Sequence, residues 1–316
     1  MDMAEERGQF KQTISRYWLR TAGGNRIPYG VGCAWLGRGA MDAETMDLEA
    51  AVLKLAYDSG VRYFDTSVAY GESERIVGHF LAQVPRESVF LASKVRVRED
   101  VTAKEAVVLA KLSLEQSLAR MRTDYLDLYQ VHDPNVLANV LAENGVLHML
   151  LEAKERGVIR NIGLATRQHD LLAVAANHGQ FDTILTYSDY TPVDPSAASL
   201  IAEASGLGLG VINASPLLTG LLCGPPPMEV EIPRGVPELE LRQKRASELY
   251  ELCAANGVSI TDAALQFPAR QSQIDITLSG PSRAADVTNT IASLERSIPE
   301  SFWRQVEQWY NQLPQK

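Results

Sequence analysis

Four ionisable side chains stand at or just beyond the ends of three apolar segments of this sequence. Asp65 ends the segment VRYFD, Lys94 follows VFLAS, and His132 ends LYQVH. Tyr70 comes five residues after Asp65 and directly precedes a glycine. An isolated aspartate or tyrosine more often caps a helix or packs in the core. A catalytic interpretation therefore requires a fold that brings the four residues together.

Their side-chain types suit proton transfer to or from an oxygen. A tyrosine hydroxyl has a pKa of about 10, and a nearby ammonium such as Lys94 stabilises the phenolate; a shift of ~2 units corresponds to ~2.7 kcal/mol. Lysine is rarely buried unless it is paired, and Asp65 is the expected partner. His132 can orient a substrate oxygen by a hydrogen bond. None of the four can carry a hydride, so the set implies a redox cofactor.

The elements that must position these residues alternate between apolar strands and amphipathic helices. The eight predicted strands are 29–33, 61–65, 89–95, 125–133, 159–165, 183–188, 209–215 and 274–280.

Helical patterns lie between these strands. The clearest are residues 45–59 and 104–122. Their apolar faces are formed by Leu48, Val52 and Leu55 on the first and by Val108, Leu112 and Leu118 on the second. We expect these faces to pack on the sheet.

Continuous apolar strands flanked by helices indicate a parallel sheet that is covered on both faces. Eight such units predict a (β/α)8 TIM barrel, with a doubly wound sheet as the alternative. In a barrel, residues at the C-terminal ends of the strands meet, which brings the four ionisable residues together. Residues 16–30 predict a β-hairpin cap and residues 298–313 an extra C-terminal helix. We expect one domain over 1–316, with 1–15 as a flexible extension.

Composition excludes several classes of protein. The chain has 316 residues, 46% of them apolar, and a net charge of -9 with no basic run, so nucleic-acid binding is not expected. Cys33, Cys223 and Cys253 are widely spaced, which favours free thiols in a reducing compartment and no metal site. The uncharged segment 204–228 is too rich in glycine and proline for a spanning helix. With no secretory pattern at the N-terminus, a cytoplasmic protein without membrane contact is predicted.

Three motifs, FDTSVAYGESERIVG, ASKV and DYLDLYQVH, place Asp65, Tyr70, Lys94 and His132 in order along the chain. On eight βα units they resemble the aldo-keto reductase superfamily, over about residues 17–313. The stretches ILTYSDYTPVD and GVINASPLLTGLL resemble its branch of L-galactose dehydrogenases and aldose 1-dehydrogenases. The resemblance implies that the four residues are a catalytic tetrad for NAD(P)-dependent interconversion of alcohols and carbonyl compounds.

The resemblance also assigns binding residues by position. Ala165, Thr166 and Tyr187 fall near the nicotinamide amide, and Ala214 stands where many relatives stack a tyrosine on the ring. The pyrophosphate path is assigned to Ser215, Leu217, Thr219 and Leu221, and the adenosine end to Gly280, Pro281, Ser282, Arg283 and Asp286. Cys33, Ala34 and Asp65 complete the predicted cofactor contacts, and Trp35, Tyr70 and His132 are the predicted substrate contacts. For Cys33 and Trp35, simple packing in the core is the alternative.

Asp286 bears on the choice between NAD and NADP. It stands where many NADP-using relatives have an arginine, and a carboxylate there repels a 2′-phosphate and can accept from a ribose hydroxyl. Arg283 and Ser282 favour phosphate instead, but Arg283 and Asp286 are three apart and can pair. NAD is therefore the predicted preference, with NADP used more weakly.

The predicted activity is oxidation of the C1 hydroxyl of a free aldose, of the galactose or fucose type, to the lactone. The alternatives are an aldehyde or ketone reductase of the same fold and a non-catalytic, cofactor-sensing regulatory subunit. GVGCAWLG lacks the third glycine of a Rossmann fingerprint, and neither GxSxG nor HExxH occurs. The sequence leaves the oligomeric state open.

Overall fold

Eight parallel strands close into a barrel in the computed structural model, which describes residues 10–39, 42–233 and 235–313. The strands, in chain order, are β1 (Leu19–Arg20), β2 (Arg26–Ile27), β3 (Tyr29–Gly32), β4 (Tyr63–Asp65), β5 (Phe90–Val95), β6 (Leu128–His132), β7 (Ile162–Ala165), β8 (Thr183–Tyr187), β9 (Gly210–Ala214) and β10 (Ile276–Ser279). β1 and β2 form the predicted antiparallel hairpin, and β3 to β10 form the barrel. Pairing of Thr277 with Tyr29 closes the barrel, which confirms the (β/α)8 prediction over a doubly wound sheet.

The barrel strands are buried along their length because both of their faces are covered. All six residues of β5 and all five of β6 are buried. Inside the barrel, the rings of Tyr63 and Phe90 stack at 4.8 Å. The interior is thus a packed core.

Helices follow the strands around the barrel. In chain order they are α1 (Ala43–Asp58), α2 (Ser73–Leu81), α3 (Ala103–Met121), α4 (Ala138–Leu141), α5 (Val146–Glu155), α6 (His169–His178), α7 (Ala198–Gly206), α8 (Pro237–Ala255), α9 (Ile260–Ala269), α10 (Ala284–Glu295) and α11 (Glu300–Tyr310). Local sequence sets their starts: Asp42 caps α1, and Thr102 with Glu105 forms a capping box on α3. The predicted C-terminal helix is α11. No helix in the described ranges is long and apolar enough to cross a bilayer.

The predicted apolar faces of α1 and α3 are right at Val52, which is buried, and at Leu55 and Leu118, which pack against the core, but they are wrong at three positions. Leu48 is 63% exposed, Val108 62% and Leu112 47%. On α3 the barrel-facing side is instead formed largely by small residues such as Ala106 and Ala110. Small side chains allow a close approach to neighbouring elements, and they contribute little to a hydrophobic pattern.

The N-terminal end of the barrel is closed by the chain that precedes the hairpin. Phe10 and Ile14 are each 1% exposed and belong to the same core as the barrel interior. A Cβ at Gly210 would lie 2.1 Å from the Phe10 ring, so that ring requires a glycine. Residues 10–15 were expected within a flexible extension and are packed instead, while 1–9 lie outside the described residues.

Candidate active site

The tetrad residues converge at the C-terminal end of the barrel. Lys94 Nζ donates hydrogen bonds to Asp65 Oδ1 and, at 3.0 Å, to the Thr66 carbonyl oxygen. The same ammonium lies 3.3 Å from the Tyr70 hydroxyl oxygen, and His132 Nε2 lies 3.5 Å from that oxygen on another side. The Tyr70 hydroxyl is therefore placed between an ammonium and an imidazole.

Two further side chains hold this arrangement. Gln130 Nε2 donates to Asp65 Oδ2 at 3.0 Å, and the Ser67 hydroxyl lies 2.9 Å from His132 Nδ1. Sequence reasoning missed both. The sequence could have indicated Gln130, because residues two apart on a strand lie on the same face and Gln130 is two residues before His132. Ser67 lies in a loop, where no periodicity predicts its direction.

The ion pair at the base of the site is buried, with Asp65 3% and Lys94 1% exposed. Burial lowers the pKa of Lys94, but the charges and hydrogen bonds of Asp65 and Tyr70 together raise that pKa above its usual value, so the ammonium persists. Burial also raises the pKa of Tyr70 above its usual value, and Lys94 offsets this only in part. The prediction of a lowered Tyr70 pKa is thus wrong for the protein alone, because burial outweighs the effect of the ammonium and Asp65 opposes that effect as well.

His132 is neutral at physiological pH. Burial, together with the charges of Lys94 and Arg96, lowers its pKa to about 3. Ser67 Oγ accepts a hydrogen bond from the Ala69 N–H, which leaves the Ser67 hydroxyl proton for His132 Nδ1. This arrangement favours the tautomer with the proton on Nε2, which can donate to a substrate oxygen.

A cavity of about 370 Å³ lies above these groups. Trp35 lies at its rim, 42% exposed, with the Arg38 guanidinium 4.1 Å from the centre of its ring. The predicted site residues that line the cavity are Ala34, Trp35, Asp65, Tyr70, Lys94, His132, Ala165, Tyr187, Ser215 and Gly280.

A groove of about 240 Å³ continues from this cavity and shares Trp35, Ser215 and Gly280 with it. The predicted residues Leu217, Thr219 and Ser282 also line the groove. Its wall is formed by the loop after β9, where Ser215, Leu218 and Thr219 have φ of 59°, 49° and 56°. Left-handed backbone at non-glycine residues is uncommon and is often found at ligand sites.

The remaining predicted residues lie apart from these surfaces. Cys33, Thr166, Leu221 and Pro281 are buried and do not line the cavity or the groove, so their cofactor role stays a prediction.

Asp286 stands at the start of α10 with both carboxylate oxygens engaged. Oδ2 accepts from the Ser282 backbone N–H at 3.0 Å and from its hydroxyl at 2.9 Å, and Oδ1 accepts from Arg283 Nε at 3.0 Å. The pairing anticipated between Arg283 and Asp286 is present. No group of three or more His, Cys, Asp or Glu side chains within the described ranges is arranged to hold a metal ion.

A closed (β/α)8 barrel with this tetrad at its C-terminal end defines a class of oxidoreductase. The sequence model of the aldo/keto reductase family matches residues 29–311, and the chain belongs to that family. It is 32% identical over 262 residues to L-galactose dehydrogenase of Arabidopsis thaliana, with 78% of each chain covered. It is 27% identical over 315 residues to D-threo-aldose 1-dehydrogenase of a Pseudomonas species, with 90% of this chain and 94% of the relative covered.

Solved structures agree on the fold. An aldo/keto reductase from Klebsiella pneumoniae, in complex with NADP and acetate, superposes with a TM-score of 0.69 at 18% identity. The match covers 95% of this chain and 97% of that one.

The sequence relatives confirm the predicted resemblance to the family and to its sugar dehydrogenase branch.

Proposed function

We propose that this protein oxidises the C1 hydroxyl of a free aldose, of the galactose or fucose type, to the lactone, with hydride transfer to a nicotinamide dinucleotide. The observation that carries the proposal is the Tyr70 hydroxyl, 3.3 Å from Lys94 Nζ and 3.5 Å from His132 Nε2 at the base of a cavity. Similarity to two aldose dehydrogenases supports the substrate class.

The residues along the cavity and groove fit an elongated dinucleotide. A Cβ at Gly280 would lie 2.7 Å from Trp35 Cδ1, so the chain needs glycine at the junction of cavity and groove. When bound, the dinucleotide supplies the hydride acceptor. The residues that would hold it are Ala165 and Tyr187 at the nicotinamide, Ser215, Leu217 and Thr219 at the pyrophosphate, and Ser282, Arg283 and Asp286 at the adenosine.

The protein's own part in the reaction is to bind the C1 oxygen and move its proton. His132 Nε2 donates a hydrogen bond to that oxygen and orients it toward Tyr70. Tyr70, as the phenolate, takes the hydroxyl proton while the hydride leaves C1. Lys94 stabilises the phenolate, and Asp65 and Gln130 keep the ammonium in place. The same groups run the reaction in reverse, with Tyr70 as the proton donor.

We infer that NAD is preferred. The Asp286 carboxylate stands at the N-terminus of α10, where hydrogen bonds from Ser282 and Arg283 hold the pKa of the carboxyl below its usual value despite partial burial. A fixed negative charge at this position repels a 2′-phosphate. Arg283 is already paired with Asp286, so it is less available to bind that phosphate.

The test is a panel of free aldoses with NAD or NADP, followed by the absorbance of the reduced cofactor, with Tyr70→Phe as the inactive control. We expect aldose oxidation in the wild type and loss of turnover in the variant. A greater kcat/KM for a hydrophobic aldehyde than for every aldose would favour a carbonyl reductase. Cofactor binding without turnover on any substrate would favour a regulatory subunit.

A further inference from the structure

A second carboxylate stands beside the reactive oxygen position. Asp133 directly follows His132, and its Oδ2 lies 3.6 Å from His132 Nε2. Its Oδ1 accepts a hydrogen bond from the Tyr187 hydroxyl at 3.1 Å. Asp133 and Tyr187 both line the cavity that holds Tyr70.

The backbone at Asp133 is left-handed, with φ of 43°. Its N–H donates to the Ala165 carbonyl oxygen at 2.8 Å, which fixes this turn at the end of β6. Ser188, just after β8, is also left-handed, with φ of 63°. Left-handed non-glycine residues cost free energy, and they persist where the surrounding structure enforces them, often at ligand sites.

The Asp133 carboxylate has acceptor capacity to spare. A carboxylate can accept about four hydrogen bonds, and this one accepts the single hydroxyl of Tyr187. No arginine or lysine in the described parts of the chain lies within salt-bridge distance of it, and its side chain is 31% exposed. The free acceptor sites of this carboxylate face the cavity, where they can bind hydrogen-bond donors of a ligand, and sugar hydroxyls are such donors.

We propose that Asp133, positioned by Tyr187, is a subsite that accepts a hydrogen bond from a hydroxyl on the carbon next to the reacting carbon. The reacting oxygen binds His132 Nε2, and Asp133 Oδ2 lies 3.6 Å from the same nitrogen. The oxygens of a vicinal diol are about one hydrogen-bond length apart, so the second hydroxyl reaches the carboxylate. The ligand class is therefore 2-hydroxy aldoses and, in the reverse direction, 2-hydroxy aldehydes. This inference rests on the proposed function, because it uses the same placement of the reacting oxygen.

The experiment measures the ratio of kcat/KM for an aldose to that for its 2-deoxy analogue. Asp133→Gly removes the carboxylate and suits the left-handed backbone, while Asp133→Asn keeps the shape and tolerates the same conformation. A hydrogen bond from a substrate hydroxyl to a carboxylate predicts a loss of about tenfold to a hundredfold in this ratio for Asp133→Gly and a smaller loss for Asp133→Asn. Comparing variants cancels the intrinsic difference between the two sugars.

Two further variants test the role of Tyr187 and provide a control. Tyr187→Phe should lower the ratio by a few-fold, because the carboxylate loses the hydroxyl that positions it. Asp100→Asn is the matched control: this exposed carboxylate pairs with Arg98 outside the cavity, so the ratio should stay unchanged. A higher KM for the cofactor in Tyr187→Phe, with the ratio unchanged, would overturn the positioning role of Tyr187.

The outcomes separate this inference from the proposed function. An equal ratio in wild type and Asp133→Gly overturns the subsite. If the wild type oxidises no aldose, the proposed function has failed, and the same comparison is made by reduction of 2-hydroxypropanal and propanal. If neither direction turns over, isothermal titration calorimetry gives the Kd of each aldehyde, and an equal Kd ratio in wild type and Asp133→Gly again overturns the subsite.

Discussion

Tyr70 and Lys94 titrate as a coupled pair, so the pH dependence of oxidation belongs to both. Burial raises the pKa of Tyr70, and oxidation requires the phenolate, so the rate should rise as pH rises. Lys94→Met removes the stabilising charge and should move this rise to higher pH. The measurement is kcat/KM against pH, with Lys54→Met, which loses a surface ion pair with Asp58, as the control. A profile unchanged by Lys94→Met would make Lys94 purely structural.

His132 links the site to the stability of the fold. Its pKa of about 3 lies below the unfolded value of about 6.5, so the unfolded chain binds more protons between these values. Stability should therefore fall as pH drops below about 6.5, by about 2 kcal/mol at pH 5. Urea unfolding should show that the free energy of unfolding falls less between pH 7 and pH 5 in His132→Gln than in wild type. The exposed His148→Gln should match wild type; an equal loss in all three proteins would contradict the lowered pKa.

At the scale of elements, the first turn of α10 carries the choice of cofactor. We expect wild type to show a greater kcat/KM with NAD than with NADP. Asp286→Arg should shift the ratio of the two toward NADP by at least about tenfold, the effect of one charge-assisted hydrogen bond to phosphate. The variant also loses the hydrogen bond from the Ser282 N–H, which can change kcat/KM with both cofactors. The ratio of kcat/KM with NADP to kcat/KM with NAD is therefore more informative than either value alone. Asp124→Arg adds the same charge elsewhere and should leave the ratio unchanged. A wild type that prefers NADP would contradict this assignment.

The strands were predictable because each is a short, mostly apolar run that is separated from the next by a helical pattern. The tetrad followed from topology, since strand ends of a barrel meet whatever their separation in sequence. The faces of α1 and α3 were not predictable in the same way. Val108 and Leu112 give a helical pattern, yet Ala106 and Ala110 face the barrel, and alanine carries too little hydrophobic signal to compete.

Inside the site, side-chain directions limited the prediction. Asp133 was visible as a polar neighbour of His132, but its direction depends on a left-handed turn that propensity does not favour. Ser67 depends on a loop conformation in the same way. The raised pKa of Tyr70 depends on the balance between burial and two opposite charges, which requires coordinates.

At the scale of the whole molecule, the chemistry and the packing lie at opposite ends of the barrel. The tetrad occupies the C-terminal end, whereas Phe10 and Ile14 close the N-terminal end and are almost completely buried. Substitutions at the N-terminal end should therefore change stability without changing the catalytic geometry.

Phe10→Ala is the direct test of this separation. Phe10 is 1% exposed, stands edge-on to Phe90 at 5.7 Å, and contacts Gly210 closely. Removing a buried phenyl ring should lower the free energy of unfolding by about 3–5 kcal/mol, measured by denaturant titration. As a control, Gln12→Ala at an exposed position two residues after Phe10 should change the free energy of unfolding by less than about 0.5 kcal/mol. Well below the melting temperature, kcat/KM should stay within about twofold of wild type, because the tetrad is held by β4, β5 and β6 and their loops. A stability loss under about 1 kcal/mol would mean that this segment does not close the barrel in solution, and a large fall in kcat/KM with the fold intact would mean that the two ends are coupled.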